Sequence, residues 1–343
     1  GREYLLARVL FFTSRNLPLE MCLPAFPCKS SNPEKVTGTM PDRGEELALR
    51  RLHQVLRQIK EVYPPGAFIC IISDGHVFSD CIGVDDDTVD EYGARLIALN
   101  NAIIQQNRDL VPAVRFQSLK DIFFLDPTDA LARELALPEV DHFIATRLCE
   151  DSEFCRQVLQ LSCQPDSNAV RDQIVAQDAA MLALYRGFSR FMLEDLALHP
   201  LAQPLSRKQK KKLAEKVSFE MMLRNQAYSN LVELVFPDHI RLSIHAHVNT
   251  GPKFGITLFD RAVTRVVDSL DLTADSLRSP ETHDLLHIPT PWHNCVAQLA
   301  DATTTTTFIA SSKVVQDAVL SGNLHGHWVE GDVSKGLGRY FEI

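Results

Sequence analysis

Ala67-Phe68-Ile69-Cys70-Ile71-Ile72-Ser73, followed at once by Asp74-Gly75-His76, is the stretch on which the fold turns. The run is short, apolar and β-branched, and Pro64-Pro65-Gly66 separates it from what precedes. Such a run predicts a strand buried on both faces, as parallel sheets require. Open parallel sheets bind their ligands in the loops beyond the carboxyl ends of their strands. Asp74, His76 and then Asp80 stand at that end.

Working outward, Leu47, Leu52, Val55, Leu56, Ile59 and Val62 repeat at helical spacing between Asp42 and Tyr63. Residues 2–14 read as an amphipathic helix. Beyond the strand come a helix at about 87–107, a strand at 113–118 and helical segments near 128–136 and 150–163. Asn168 to His199 predicts one long helix, and Ser206 to Val235 a second with Ser206 as its N-cap. Ile240–His245, Gly255–Phe259, Thr305–Ala310 and His327–Glu330 are strand-like and read as the sheet resuming, with a helix at about 311–321. The threonine run 303–307 suits a strand edge. The fold class is therefore α/β and Rossmann-like: a mostly parallel sheet flanked by helices, with a helical insertion in the middle of the chain. The whole reads as a single domain over 1–343, its core at about 15–150 and 236–343 and the insertion at about 150–235. The abrupt ends at Gly1 and Ile343 read as those of a piece excised from a longer chain.

Composition narrows the function classes. Of 343 residues, 45% are hydrophobic, enough for a large core. A net charge of −9 argues against nucleic-acid and anionic-membrane partners, which need a basic surface. The basic cluster at 207–212 is the local exception and reads as a solvated helix face. Eight cysteines without a CxxC pair support neither a disulfide framework nor a structural zinc site. With no secretory signal and no long apolar run, the expected location is the reducing cytoplasm.

Several constellations carry chemistry. In Leu23-Pro24-Ala25-Phe26-Pro27-Cys28-Lys29-Ser30-Ser31-Asn32 two prolines stiffen a loop that presents Lys29, Ser30 and further polar groups to a polar or anionic small molecule. Lacking cradle glycines, it is not a P-loop. Arg241, Ser243, His245 and His247 alternate onto one strand face, which is either a ligand-facing surface or an exposed edge. His245 and His247 could also be half of a metal site completed by Asp74, His76 or His293. Arg186 and Arg190, one helical turn apart, either grip an anion or form a surface stripe neutralised by Glu194. Arg224, Asn225, Tyr228 and Ser229 make a polar patch, Lys253 is a loop-borne cation, and Thr290-Pro291-Trp292-His293-Asn294 repeats the proline-stiffened design. There is no GxGxxG and no GxSxG.

In this order, LPAFPCKSSNPEKV (23–36), ISDGHVFSD (72–80), LYRGFSRFMLEDL (184–196), MLRNQAYSNLVELVFPDHIRLSIH (222–245), PKFGITLF (252–259) and TPWHN (290–294) resemble the isocyanide (isonitrile) synthases of the pyoverdine/dityrosine biosynthesis family, with wording similar to fungal members. The resemblance implies a redox-cofactor-independent, lyase-type enzyme. It would convert the α-amine of an L-amino acid to an isonitrile with ribulose 5-phosphate as carbon donor, through imine formation, phosphate loss and sugar fragmentation. A downstream oxygenase or a fused biosynthetic domain is the implied partner.

That chemistry needs cations for a phosphate and a carboxylate, and proton carriers within hydrogen-bond reach. Lys29, Arg186, Arg190, Arg224 and Lys253 are the candidate cations, with Ser30, Tyr228 and Ser229 beside them; Asp74, His76, His245 and His293 are the candidate proton carriers. Lys29 and Lys253 are assigned to phosphate or carbonyl binding, His245 and Asp74 to proton transfer, and no metal is assigned. The alternatives are a metal-dependent phosphosugar hydrolase or aldolase using His245, His247 and His293, and a non-catalytic metabolite-binding module.

Overall fold

Residues Ala67–Ile72 form strand β2, bonded in parallel to β1 (Leu19–Pro24) on one side and to β3 (Val114–Gln117) on the other. The structure is a computed structural model and describes residues 1–107, 113–123, 152–244, 252–260, 264–266, 289–300, 305–332 and 337–343. On its far side β1 pairs in parallel with β4 (Ile240–Ser243), which pairs in parallel with β5 (Phe254–Gly255). The order is β3-β2-β1-β4-β5, so the chain reverses direction across the sheet between β1 and β4. That seam is the topological switch point of a doubly wound fold. Leu23, Ile69, Ile71 and Ile72 are almost wholly buried, which is why these strands read as continuous apolar runs.

The flanking helices follow their caps. Helix α1 (Arg2–Thr13) packs on β1 and β4. Helix α2 (Arg43–Val62) starts with a capping box, in which Asp42 accepts from the Gly44 N–H and the Asp42 N–H donates to Glu45. Helices α3 (Gly75–Ile82), α4 (Asp86–Gln106) and α5 (Leu119–Phe123) follow. The middle of the chain is helical as expected, with α6 (Ser152–Cys163), α7 (Ser167–Val175), α8 (Ala179–Leu196) and α9 (Arg207–Val235). Among the described residues no helix is long and apolar enough to cross a membrane.

Four expectations need correction. The helix expected from Asn168 to His199 is two helices, broken where Gln177 takes a left-handed φ of 59° and Asp178 caps α8 through the N–H groups of Ala180 and Met181. Of the strands expected to resume the sheet, β4 and β5 do so, but those after them do not. β6 (Thr264–Val266), β7 (Cys295–Ala300), β8 (Thr305–Ala310), β9 (His327–Val329) and β10 (Tyr340–Glu342) build a second, mixed sheet, ordered β6-β8-β7-β10-β9. The threonine strand β8 is therefore internal, not an edge, and helix α10 (Ser312–Leu320) follows it. Finally, α1 is not amphipathic: Phe12 is its one buried residue, while Leu6 and Leu10 on its flank are exposed. The helix expected near 128–136 lies outside the described residues.

The two sheets meet at the start of α2. Arg43 Nε donates to Gln298 Oε1 of β7 at 3.1 Å, and the Gly338 N–H donates to the Pro41 carbonyl at 2.7 Å. At the opposite crest, the β2–α3 turn presses on the loop after β1. A Cβ on Gly75 would collide with the Pro27 carbonyl oxygen and with Val89, so only glycine fits. Gly75→Ala is therefore expected to cost about 1–3 kcal/mol by overpacking, read as a lower midpoint in urea denaturation. An unchanged midpoint would show that the turn and the loop separate freely.

Candidate active site

The loop after β1 runs over the switch point and is braced at nearly every residue. The Ala25 N–H donates to the Ile72 carbonyl at 3.2 Å, and Ser73 Oγ donates to the Phe26 carbonyl at 3.0 Å. Phe26 is fully buried with a left-handed φ of 59°, a conformation that a non-glycine residue keeps only when its surroundings enforce it. Ser30 Oγ accepts from the Asn32 N–H, and Asn32 Nδ2 donates to the Glu194 carbonyl. The polar side chains expected to face a ligand therefore hold the loop in shape.

Lys29 is the clearest case. Its side chain has no exposure, and Nζ lies 2.8 Å from Asp42 Oδ2, 2.8 Å from Glu45 Oε2 and 2.8 Å from the Pro291 carbonyl. An ammonium has three donors, and all three are engaged. Burial alone would lower its pKa, but Asp42 and Glu45 together raise it, so the charge is kept. Asp42 is pushed up to about 7 by burial, against the pull of Lys29. Tyr92 Oη donates to the other Glu45 oxygen at 3.0 Å. Lys29 thus lies within a structural cluster with no donor left over, which corrects its assignment to phosphate or carbonyl binding.

At the carboxyl end of β2, Asp74 occupies the N-cap position of α3 without making a cap hydrogen bond. Its Oδ1 is shielded from solvent and has no hydrogen-bond partner among the described residues. Burial pushes the carboxyl up to about 7. Cys28 and Tyr228, both raised first by burial, are close enough to feel its charge. A carboxyl that exchanges its proton near neutrality, beyond the carboxyl end of a parallel strand, is equipped for general acid–base work.

Further round the crest, Lys35 Nζ lies 2.7 Å from Asp195 Oδ1 and 4.4 Å from the Phe191 ring centroid. Burial raises Asp195 while Lys35 and Ser30 oppose the rise. The His293 ring meets Phe191 edge-on at 4.7 Å, and its Nδ1 is 3.1 Å from Thr290 Oγ1. The Ser30 N–H donates to the Trp292 carbonyl at 2.9 Å, so the 23–32 loop and the 290–294 segment are one unit.

The other expected residues disperse. His76 is buried with Nε2 3.0 Å from Asp90 of α4, and burial lowers its pKa, so it packs against the helices instead of facing the loop. Arg224 donates to Asp80, Glu220 and the Val77 carbonyl, pinning α9 to α3 and not gripping an anion. Arg186 and Arg190 are exposed, with Arg190 3.6 Å from Glu194, the surface-stripe arrangement. Tyr228 Oη donates to the Ile72 carbonyl at 2.9 Å, and Ser229 is buried. Lys253 is lowered to about 8, first by burial and then by Arg241. His245 and His247 lie outside the described residues.

Arg241 faces α9, 2.7 Å from Glu233, and Ile240 and Leu242 face the other way, as alternation requires. Asp42, Glu45 and Asp195 were missed as partners. Asp42 and Glu45 did carry a signal, the D-x-x-E capping pattern ahead of the apolar helix. Asp195 carried none.

Comparison with known proteins fits this fold. Residues 9–321 match the family described as pyoverdine/dityrosine biosynthesis protein. The spore wall maturation protein DIT1 of Saccharomyces cerevisiae is 46% identical over 345 residues, spanning 100% of this chain and 63% of that protein. An L-tryptophan isonitrile synthase of Fischerella ambigua is 31% identical over 291 residues, spanning 84% of this chain and 71% of that enzyme. The chain thus spans under two thirds of the first relative's length. The crystal structure of the PvcA protein from Pseudomonas aeruginosa superposes with a TM-score of 0.71 at 25% identity, covering 98% of this chain and 90% of that one.

Lys29→Met leaves two buried acids without their cation, and is expected to cost about 3–5 kcal/mol in urea denaturation. The sign of its pH dependence follows from Asp42. A carboxyl whose folded pKa lies above its unfolded value stabilises the fold at low pH and loses that contribution as pH rises through the folded value. Without Lys29 the folded value climbs further, so the deficit grows between pH 5 and pH 8. A deficit that shrinks over that range would show that the acids do not depend on Lys29.

Proposed function

The chain belongs to the pyoverdine/dityrosine biosynthesis protein family, and from that premise we propose that it is an isonitrile synthase acting on an L-amino acid with ribulose 5-phosphate as carbon donor. The observation that carries the reading is the buried Asp74 carboxyl, raised to about 7 beyond the carboxyl end of β2, in a chain 31% identical to an L-tryptophan isonitrile synthase. The α-amine condenses with the ketose carbonyl and releases water. The imine then rearranges, loses phosphate and fragments, leaving the C2 carbon on nitrogen as the isonitrile. The sequence is a lyase-type one and runs without a redox cofactor.

In this reading Asp74 moves protons at the condensing carbonyl and the carbon beside it, where a pKa near neutrality serves both directions. Lys253, lowered to about 8, supplies a cation for the sugar phosphate. His293, held by Thr290 and Phe191, and His245, which follows Ile244 in sequence, are the further proton carriers. Lys29 is a positioning residue that fixes both proline-stiffened segments around the site. A downstream oxygenase or a fused biosynthetic domain takes the product.

Incubation with ribulose 5-phosphate and each L-amino acid, with the isonitrile trapped by a tetrazine and detected by mass, is expected to give an adduct with at least one of them. No adduct from well-folded protein overturns the reading. Asp74→Asn is expected to lower kcat about 10²–10⁴-fold. In the native enzyme kcat rises as pH passes upward through about 7, where Asp74 becomes the base, and the variant lacks that limb.

A further inference from the structure

A second concave site lies on the face of the parallel sheet turned away from α9. Between α1, α2 and the strands β1, β4 and β5 there is a cleft of about 400 Å³. Leu19 and Met21 of β1 and Ile240 and Leu242 of β4 form its floor, and Val55 of α2 stands in its wall. The volume and the apolar lining are those of a small-molecule site, where a few placed polar groups set orientation.

Among the described residues Arg51 is the only charged one in the lining. Its Nη1 donates to Gln54 Oε1 at 2.8 Å, and Asp260 is 3.9 Å away, at the outer limit of an ion pair. Its Nε is shielded from water and has no hydrogen-bond partner among the described residues. A buried donor left unmet is costly, and a carboxylate oxygen is the acceptor that suits a guanidinium best. Among the described residues no acid lines the cleft to receive an ammonium, so a zwitterionic amino acid is not the ligand it suits.

We propose that this cleft binds an apolar monocarboxylate, an aliphatic acid with its head on Arg51 and its chain along β1 and β4. The site is separate from the Asp74 crest: it lies on one face of the strands, whereas Asp74 follows the carboxyl end of β2. It does not depend on the proposed reaction.

The test titrates the whole chain with the fluorescent polyene fatty acid cis-parinarate. Saturable enhancement is expected, with decanoate displacing the probe at least tenfold more effectively than 1-decanol and L-tryptophan not displacing it. Arg51→Met is expected to erase the preference for decanoate over decanol while leaving decanol competition unchanged. Val55→Trp, which fills the cleft, is expected to weaken parinarate at least tenfold with the circular dichroism spectrum unaltered. Absence of saturable enhancement, displacement by L-tryptophan at the concentrations that suffice for decanoate, or an Arg51→Met protein that keeps the preference would overturn the assignment. Because no arm reads isonitrile formation, its failure and that of the proposed activity are told apart.

Discussion

One buried ammonium holds the molecule's working parts in register. Lys29 comes from the loop after the central strand, Asp42 and Glu45 from the first turn of α2, and the Pro291 carbonyl from the segment that leads into the second sheet. The same two acids satisfy orphan N–H groups at the α2 N-terminus, so capping and ion pairing are one arrangement. Tyr92 adds α4 to it. A buried charge is tolerated only when paired and hydrogen-bonded, and here every donor of the cation is met. The strained backbone at Phe26 and the seating of Trp292 and His293 are downstream of that constraint.

The crest shows how environment divides chemically identical groups. Asp42, Asp74 and Asp195 are all raised by burial. Asp42 and Asp195 each have a lysine at ion-pair distance, which fixes them as structural acids. Among the described residues Asp74 has no such cation, and burial, against a backbone hydrogen bond, brings its proton exchange to about 7. Lys253 is brought down to about 8 from the other direction.

Much of the fold was legible because its signals are local. The Ala67–Ile72 run, the capped helix from Arg43 and the C-terminal strand of threonines follow from periodicity and caps, with no need of tertiary information. β1 was not legible, since Pro24 reads as loop; the last residue of a strand tolerates the missing N–H. The break at Gln177 and the second sheet depend on capping competition and long-range pairing that no window of sequence displays. For the site, Asp74 follows from its place after a parallel strand. The role of Lys29 does not, because a lysine after prolines looks the same whether it faces a ligand or two carboxylates brought in by a distant helix.

The seam between β1 and β4 also sets the order in which the protein can acquire its site. β1, β2 and β3 lie within the first third of the chain, whereas Met21 and Ile240 pair across roughly two hundred positions. Closing so long a loop costs entropy before any contact repays it, so contact order places β4 docking late. A three-stranded half with Asp74 beyond its middle strand is the natural early species, and it lacks the β4 side until the seam closes. During synthesis, that half emerges well before β4 does. The exposed flank of β1 is meanwhile an unpaired strand edge, the segment on which chaperone protection of the nascent chain would act.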